Sequence, residues 1–288
     1  MNQTPNRSLQ PLAPSCEALT RKTLSTSLLR AARSVLTLWT CWLFIPSTSL
    51  AALNQTEMVQ ILKEIDESQT NGGDYRSLVY IERKEKDKVD VVQEAVIYRR
   101  DADDKLMIVF TKPKSEQGKG YLRVDKNLWM YDAKVGKWER RTERERIGGT
   151  DTRRADFDES RLAIEYDPTY VGEEKLGVFS VHHMTLKVKQ GIDVAFPVIQ
   201  IWVDTTNKTV LKRQEYALSG KLMRTALYPK WQKLFSESKK ADVWYPQEIR
   251  LYDEVEKSNS TLVMMKAVDL RPLEANMFTK AWLESKTR

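Results

Sequence analysis

The period of the apolar positions changes along the chain. Over residues 54–67, NQTEMVQILKEIDE, Met58, Ile61, Leu62 and Ile65 recur at three- and four-residue spacing. That spacing predicts an amphipathic helix with Asn54 or Thr56 as its N-cap, and Asn71-Gly72-Gly73-Asp74 stops it. Beyond it the pattern becomes short strand-like runs separated by turn residues. The predicted strands are 77–83, 91–99, 105–112, 120–125, 127–132 and 136–141, then, after a looser segment, 177–189, 196–204, 209–218, 221–228, 243–253 and 260–270. Thr205-Thr206-Asn207-Lys208, Ser219-Gly220 and Glu256-Lys257-Ser258-Asn259 join neighbours at hairpin length. Those neighbours are antiparallel, because a parallel crossover needs a dozen or more residues. Two further helices are predicted. One covers 155–163, with acids in its first turn; the other covers 272–285, opening on Pro272 and bringing Leu273, Met277 and Trp282 together.

Several strands break the alternation that a half-solvated sheet requires. Residues 106–110, 128–131, 198–203 and 262–265 are apolar on both faces. Three short helices cannot cover both faces of so wide a sheet, and wide sheets curl or split. The predicted fold is therefore mainly β: a curved, incomplete antiparallel β-barrel of about 11–12 strands, with short helices closing the concave side. Its interior is either an apolar hollow that holds a small ligand or a core filled by the chain's own side chains. Met107, Met130, Met223, Met264 and Met265 lie in these strands, and the flexible thioether suits an adaptable apolar surface. Trp129, Trp138, Trp202, Trp231, Trp244 and Trp282 are each also explained as core aromatics. The cavity candidates are Met107, Val109, Trp129, Met130, Tyr131, Ile201, Trp202, Met223 and Met264. Alternation puts Leu128 and Met130 on one face and Trp129 and Tyr131 on the other, without showing which pair looks inward.

The formal charge of +7 is concentrated at the start of the chain. Residues 1–34 hold five basic residues against Glu17, the stretch VLTLWTCWLFI (35–45) is uncharged, and Pro46 precedes Ser49-Leu50-Ala51. This order predicts a secretory signal peptide over residues 1–51. Eleven residues fall short of the roughly 20 that a permanent span needs. An uncleaved anchor and lipidation at Cys41 are the alternatives, the latter a poor fit with Thr40 before the cysteine. Without residues 1–51 the chain keeps 42 basic and 39 acidic residues, about +3, which is too little excess for a nucleic-acid binder. Cys16 and Cys41 both fall in the leader, so residues 52–288, predicted as one domain, contain no cysteine, as suits an oxidising compartment. The mixed-charge tract KWERRTERERIGG (137–149) is the one candidate docking surface for a protein partner.

Catalytic signatures are missing: there is no Gly-x-Ser-x-Gly elbow, P-loop or dinucleotide fingerprint. His182 and His183 are adjacent on a strand, point to opposite faces and cannot share a metal. Asp156, Asp158 and Glu159 are explained as helix N-terminal acids. The expectation is a protein that is not an enzyme and uses no metal or cofactor.

Two segments carry a family resemblance. GKGYLRVDKNLWMYDAKVGKWERR (118–141), a glycine-led strand running into an n-x-W-x-Y pattern and a basic strand, resembles the outer-membrane lipoprotein-sorting (LolA/LolB-like) family. GGTDTRRADFDESRLA (148–163) looks like that family's glycine/acid loop leading to a short helix, and departs from it at Arg153 and Arg154. The order of elements over roughly 54–285 also fits. The resemblance implies a lipid-binding half-barrel that shelters the acyl chains of lipoproteins or lipids in the periplasm during transfer toward the outer membrane. The implied partners are those acyl chains, with an inner-membrane transporter or an outer-membrane acceptor; no cofactor and no nucleic acid are implied. The competing expectation is a periplasmic lipid-sensing or adaptor module that docks on an envelope protein or membrane transporter.

Overall fold

Asn54 and Glu57 close a capping box in the computed structural model. The Glu57 amide donates to Asn54 Oδ1 at 3.0 Å, and the Asn54 amide donates to Glu57 Oε2 at 2.8 Å. Helix α1 (Gln55–Thr70) follows, and its apolar stripe is buried, Leu62 completely. The structure describes residues 52–70, 73–124, 127–142, 146–153, 156 and 160–286. The predicted leader, and residues 155 and 157–159 of the helix expected over 155–163, lie outside the described residues; of the others only Leu162 and Ala163 are α-helical.

The rest of the chain builds one open antiparallel sheet of thirteen strands. β1 (Tyr75–Lys84), β2 (Val91–Arg100), β3 (Lys105–Lys112), β4 (Gly120–Val124), β5 (Asn127–Asp132) and β6 (Lys137–Arg141) meander outward to one edge. The connection 142–161 then carries the chain to the opposite edge, where α2 (Leu162–Glu165) and β7 (Tyr166–Leu176) begin the return. β8 (Phe179–Val188), β9 (Val198–Asp204), β10 (Val210–Tyr216), β11 (Leu222–Ser236), β12 (Ala241–Asp253) and β13 (Ser260–Asp269) meander inward until β13 pairs with β1. The first and last strands are thus the central seam. The sheet is not closed into a barrel, as expected for an incomplete one.

Three predicted boundaries needed correction. β7 replaces the looser segment; Pro168 and Gly172 disguised it, and both are tolerated because the strand lies at an edge. β11 runs eight residues past its expected end at 228. The C-terminal helix begins later than Pro272: a single tight turn at Ala275–Met277 precedes α3 (Lys280–Lys286). Leu273, Met277 and Trp282 nevertheless meet there, against one face of β3–β6.

Register assigns every side chain to one of two faces. Leu106, Ile108 and Phe110 share a face with Leu128 and Met130, with Ile81 and Val263, and, through the seam, with Ile199 and Ile201 of the other meander. We call this the covered face, because α1 and, from the connection, Ile147, Gly148, Asp151 and Asp156 lie on it. The outer face carries Met107, Val109 and Leu122, which pack under α3.

Candidate functional site

The covered face holds two apolar halves with a charged clamp between them. Over the return meander, Met58, Ile61, Leu62 and Ile65 of α1 pack on Met184, Leu186, Ile199 and Ile201. α1 is itself anchored, since Asp66 accepts from the Ser160 hydroxyl (2.6 Å) and from the amides of Leu162 (2.9 Å) and Ala163 (2.8 Å). The Tyr166 hydroxyl donates to the Phe196 carbonyl at 2.9 Å, and burial pushes its pKa up to about 12.

Over the outgoing meander the roof is different. Ile147 and Gly148 of the connection sit on Phe110 and Tyr121, and the Gly148 amide donates to the Tyr121 hydroxyl at 3.0 Å. A Cβ at Gly148 would lie 2.6 Å from the Phe110 ring, and its φ of +60° is left-handed, so glycine is required twice over. The remainder of this roof is Tyr245 of β12, packed edge-on to Tyr75 with ring centres 5.3 Å apart, and Leu234 of β11.

Arg224 of β11 is the centre of the clamp. Its guanidinium donates to Glu215 (Nε to Oε2, 2.6 Å; Nη2 to Oε1, 3.0 Å), to Asp156 (Nη1 to Oδ2, 2.7 Å; Nη2 to Oδ1, 2.5 Å) and to the Asp151 carbonyl (3.2 Å). Burial would by itself lower the pKa of Arg224, but Asp156 and Glu215 raise it well above the ordinary arginine value. Burial likewise works to raise the Asp156 carboxyl, yet Arg224 outweighs it and holds that carboxyl low. Beside them Arg146 bridges Asp151 (3.1 Å) and Asp253 (2.6 Å), and the Thr261 hydroxyl donates to Asp151 Oδ2 at 2.9 Å. Asp156, expected as a helix N-terminal acid, instead fastens the connection to the sheet. Arg146 and Ile147, from the tract 137–149 singled out as a candidate docking surface, turn onto the covered face.

The side chains fill this face closely. A hollow of about 10 Å³ beside the clamp, lined by Arg146, Asp151, Arg153, Met223, Arg224 and Asp253, barely admits one water. A second, of about 50 Å³, lies among polar residues of the β3–β4 and β5–β6 turns. Both are far below the roughly 300–1,000 Å³ of a small-molecule pocket. Neither of these two hollows is large enough to hold an acyl chain.

The nine cavity candidates divide between the faces. Met130 and Ile201 are buried on the covered face, and Met223 joins them half-buried at a bulge in β11. Met107, Val109 and Tyr131 pack in the outer cluster under α3. Trp129 shares that face, with Lys280 Nζ 3.9 Å from its ring centre. Met264 pairs with Tyr80 on the outer side of the seam. Trp202 is an outer-face stacking residue: His183 lies 4.1 Å away and nearly parallel, Lys212 Nζ is 4.0 Å from its ring centre, and its indole N–H donates to Glu174 at 3.2 Å. Glu174 also holds His183 Nδ1 at 2.5 Å, while His182 turns to Tyr170 on the other face. The apolar runs gave no signal for Tyr245, Leu234 or the Arg224 clamp, whose contacts with β1, β2 and β13 or with Asp156 join segments far apart in sequence.

A family model described only as an uncharacterized protein matches residues 102–285. No curated protein matches the sequence. Among solved structures, an outer membrane lipoprotein-sorting protein domain from Vibrio parahaemolyticus superposes with a TM-score of 0.67 at 16% identity, covering 80% of this chain and 100% of that one. A LolA superfamily protein from Nitrosomonas europaea gives 0.63 at 19% identity, with 80% and 100% covered. A DUF1329 family protein from Desulfovibrio piger gives 0.68 at 16% identity, with 80% and 98% covered.

Proposed function

The chain belongs to the uncharacterized family whose model spans residues 102–285, its fold is LolA-like, and from that premise we propose that it is a carrier sheltering the acyl chains of lipoproteins or lipids in the periplasm, on their way to the outer membrane. One observation carries the proposal: the covered face is a broad apolar surface whose roof is partly made of separate, locally tethered segments. The solved structures that share the fold support it, one being named for lipoprotein sorting. An acyl chain that replaced part of the roof would gain about 0.8 kcal/mol per buried methylene and would need no polar anchor. The clamp fits such a guest, because Arg224 and Arg146 are already engaged by the carboxylates around them. Release then requires a competing apolar site on an acceptor. Export by residues 1–51 belongs to the same proposal.

Native mass spectrometry and lipid extraction of the protein purified from the periplasm test it. The expected result is stoichiometric lipid, lost in Met265→Glu on the covered face and kept in Met264→Glu on the outer face, both with native circular dichroism. A lipid-free protein that co-purifies with one stable envelope protein would overturn the carrier in favour of the adaptor.

A further inference from the structure

The strand pairing isolates one part of the roof. β10 pairs with β11 only as far as Leu227, and β13 pairs with β12 only from Glu248 onward. Between these limits, residues 231–236 of β11 and 241–246 of β12 pair with each other alone among the described residues. They form a two-stranded ribbon leaving the edge-to-edge sheet. Its base is irregular, with register shifts at Leu227/Lys230 and Lys230/Trp231, Pro229 inside the shift, and Pro246 opposite Trp231. Proline cannot donate to a neighbouring strand, so both prolines favour a ribbon without flanking partners. On the outer face of the base, Glu248 holds Lys230 at 3.0 Å and Arg250 at 2.6 Å, which fixes the hinge end.

The ribbon alternates. Gln232 pairs with Tyr245 and Leu234 with Val243 on one side; Trp231 pairs with Pro246 and Lys233 with Trp244 on the other. The first side is the one turned down, because Tyr245, 7% exposed, and Leu234 pack on the outgoing half of the covered face. Beneath them lie Val79, Ile97, Val263 and Met265, a continuous apolar patch of β1, β2 and β13. At the far end Ser236 is fully buried, and an added Cβ at Gly73 would press on Ser236 and Ser238. The ribbon is therefore held at its base and tip, and in between by two side chains lying on apolar ground. An isolated two-stranded ribbon is marginal by itself. Such a segment opens at lower free energy than the sheet beneath it.

We infer that the acyl-chain seat is the patch now occupied by Tyr245 and Leu234, and that the ribbon is the chain's own stand-in for the guest. A guest lifts the ribbon at its Pro229/Pro246 base and lies on β1, β2 and β13. The α1 half keeps its helix throughout. This inference rests on the carrier proposal and narrows it to one half of one face.

Fluorescent fatty-acid titration and hydrogen exchange of the full chain test it. Leu234→Ala trims the stand-in, so a C16 fatty acid should bind about fivefold more tightly than to the unaltered chain. Val188→Ala, an equivalent trim in the α1 half, should leave affinity unchanged. Saturating fatty acid should speed amide exchange in 231–236 and 241–246 while leaving β1, β2 and β13 as protected as before. Binding by the unaltered chain that Leu234→Ala does not tighten, with ribbon exchange unchanged or slowed, would overturn the seat and leave the carrier standing. If neither chain binds fatty acid and the purified protein is lipid-free, the carrier proposal falls and the seat falls with it.

Discussion

The two halves of the covered face solve the same burial problem with different roofs. α1 brings its own backbone hydrogen bonds, a capped start and an Asp66 tether, so its four apolar side chains arrive on a preformed rod. The outgoing half is roofed by a short stretch of connection and a ribbon whose strands pair only with each other. The apolar chemistry beneath is alike; the cost of uncovering it is not. A helix roof is lost only when a whole element melts, whereas a ribbon lifts by bending at its base. Permanent cover and exchangeable cover can therefore coexist on one sheet.

The clamp between the halves sets the scale for breaking this contrast. Arg224→Ala strands Glu215, 1% exposed at its side chain, without its main partner and frees Asp156, and should cost about 3–5 kcal/mol in urea unfolding. It should also change the acid response. The Asp156 carboxyl is held below its ordinary 3.8 in the folded chain, so its contribution is complete above that value and is lost as pH falls through its lower folded value. Urea midpoints measured from roughly pH 6 down to pH 2 should show a shallower acid limb in Arg224→Ala than in the unaltered chain.

The next effect separates the roofs. Leu62→Ala removes a completely buried side chain from α1 and should cost about 3 kcal/mol, whereas Leu234→Ala, half-buried in the ribbon, should cost about 1 kcal/mol. Equal losses by calorimetry would mean that the ribbon is as fixed as the helix. The smallest expected effect sharpens the picture at one end: Asn54→Ala removes the capping box and should cost about 1 kcal/mol. Hydrogen exchange should locate that loss in α1, with the ribbon unchanged.

The local patterns were legible and the assembly was not. Met58, Ile61, Leu62 and Ile65 announced α1 and its buried stripe, and most hairpins followed from turn residues between apolar runs. β7 was hidden because an edge strand tolerates Pro168 and Gly172 and exposes alternate positions. Two-faced strands correctly signalled cover on both sides of β3 and β5, but not which cover, while Leu262 and Met264 of β13 are only half-buried on the outer face. Leu128 and Met130 turned out to meet the covered face, while Trp129 and Tyr131 share the side of α3, a helix more than a hundred residues away in sequence. The candidate list therefore mixed the faces. Arg224 and Glu215 face each other across the β10–β11 hairpin, but Asp156 reaches them only where the connection crosses the return meander.

Photo-crosslinking with a diazirine fatty acid, mapped by peptide mass spectrometry, addresses most directly whether an acyl guest lies on the covered face. The account predicts adducts on β1, β2 and β13 beneath the ribbon and on its inward residues Leu234 and Val243. Adducts confined to the outer cluster under α3, or to α1, would contradict it.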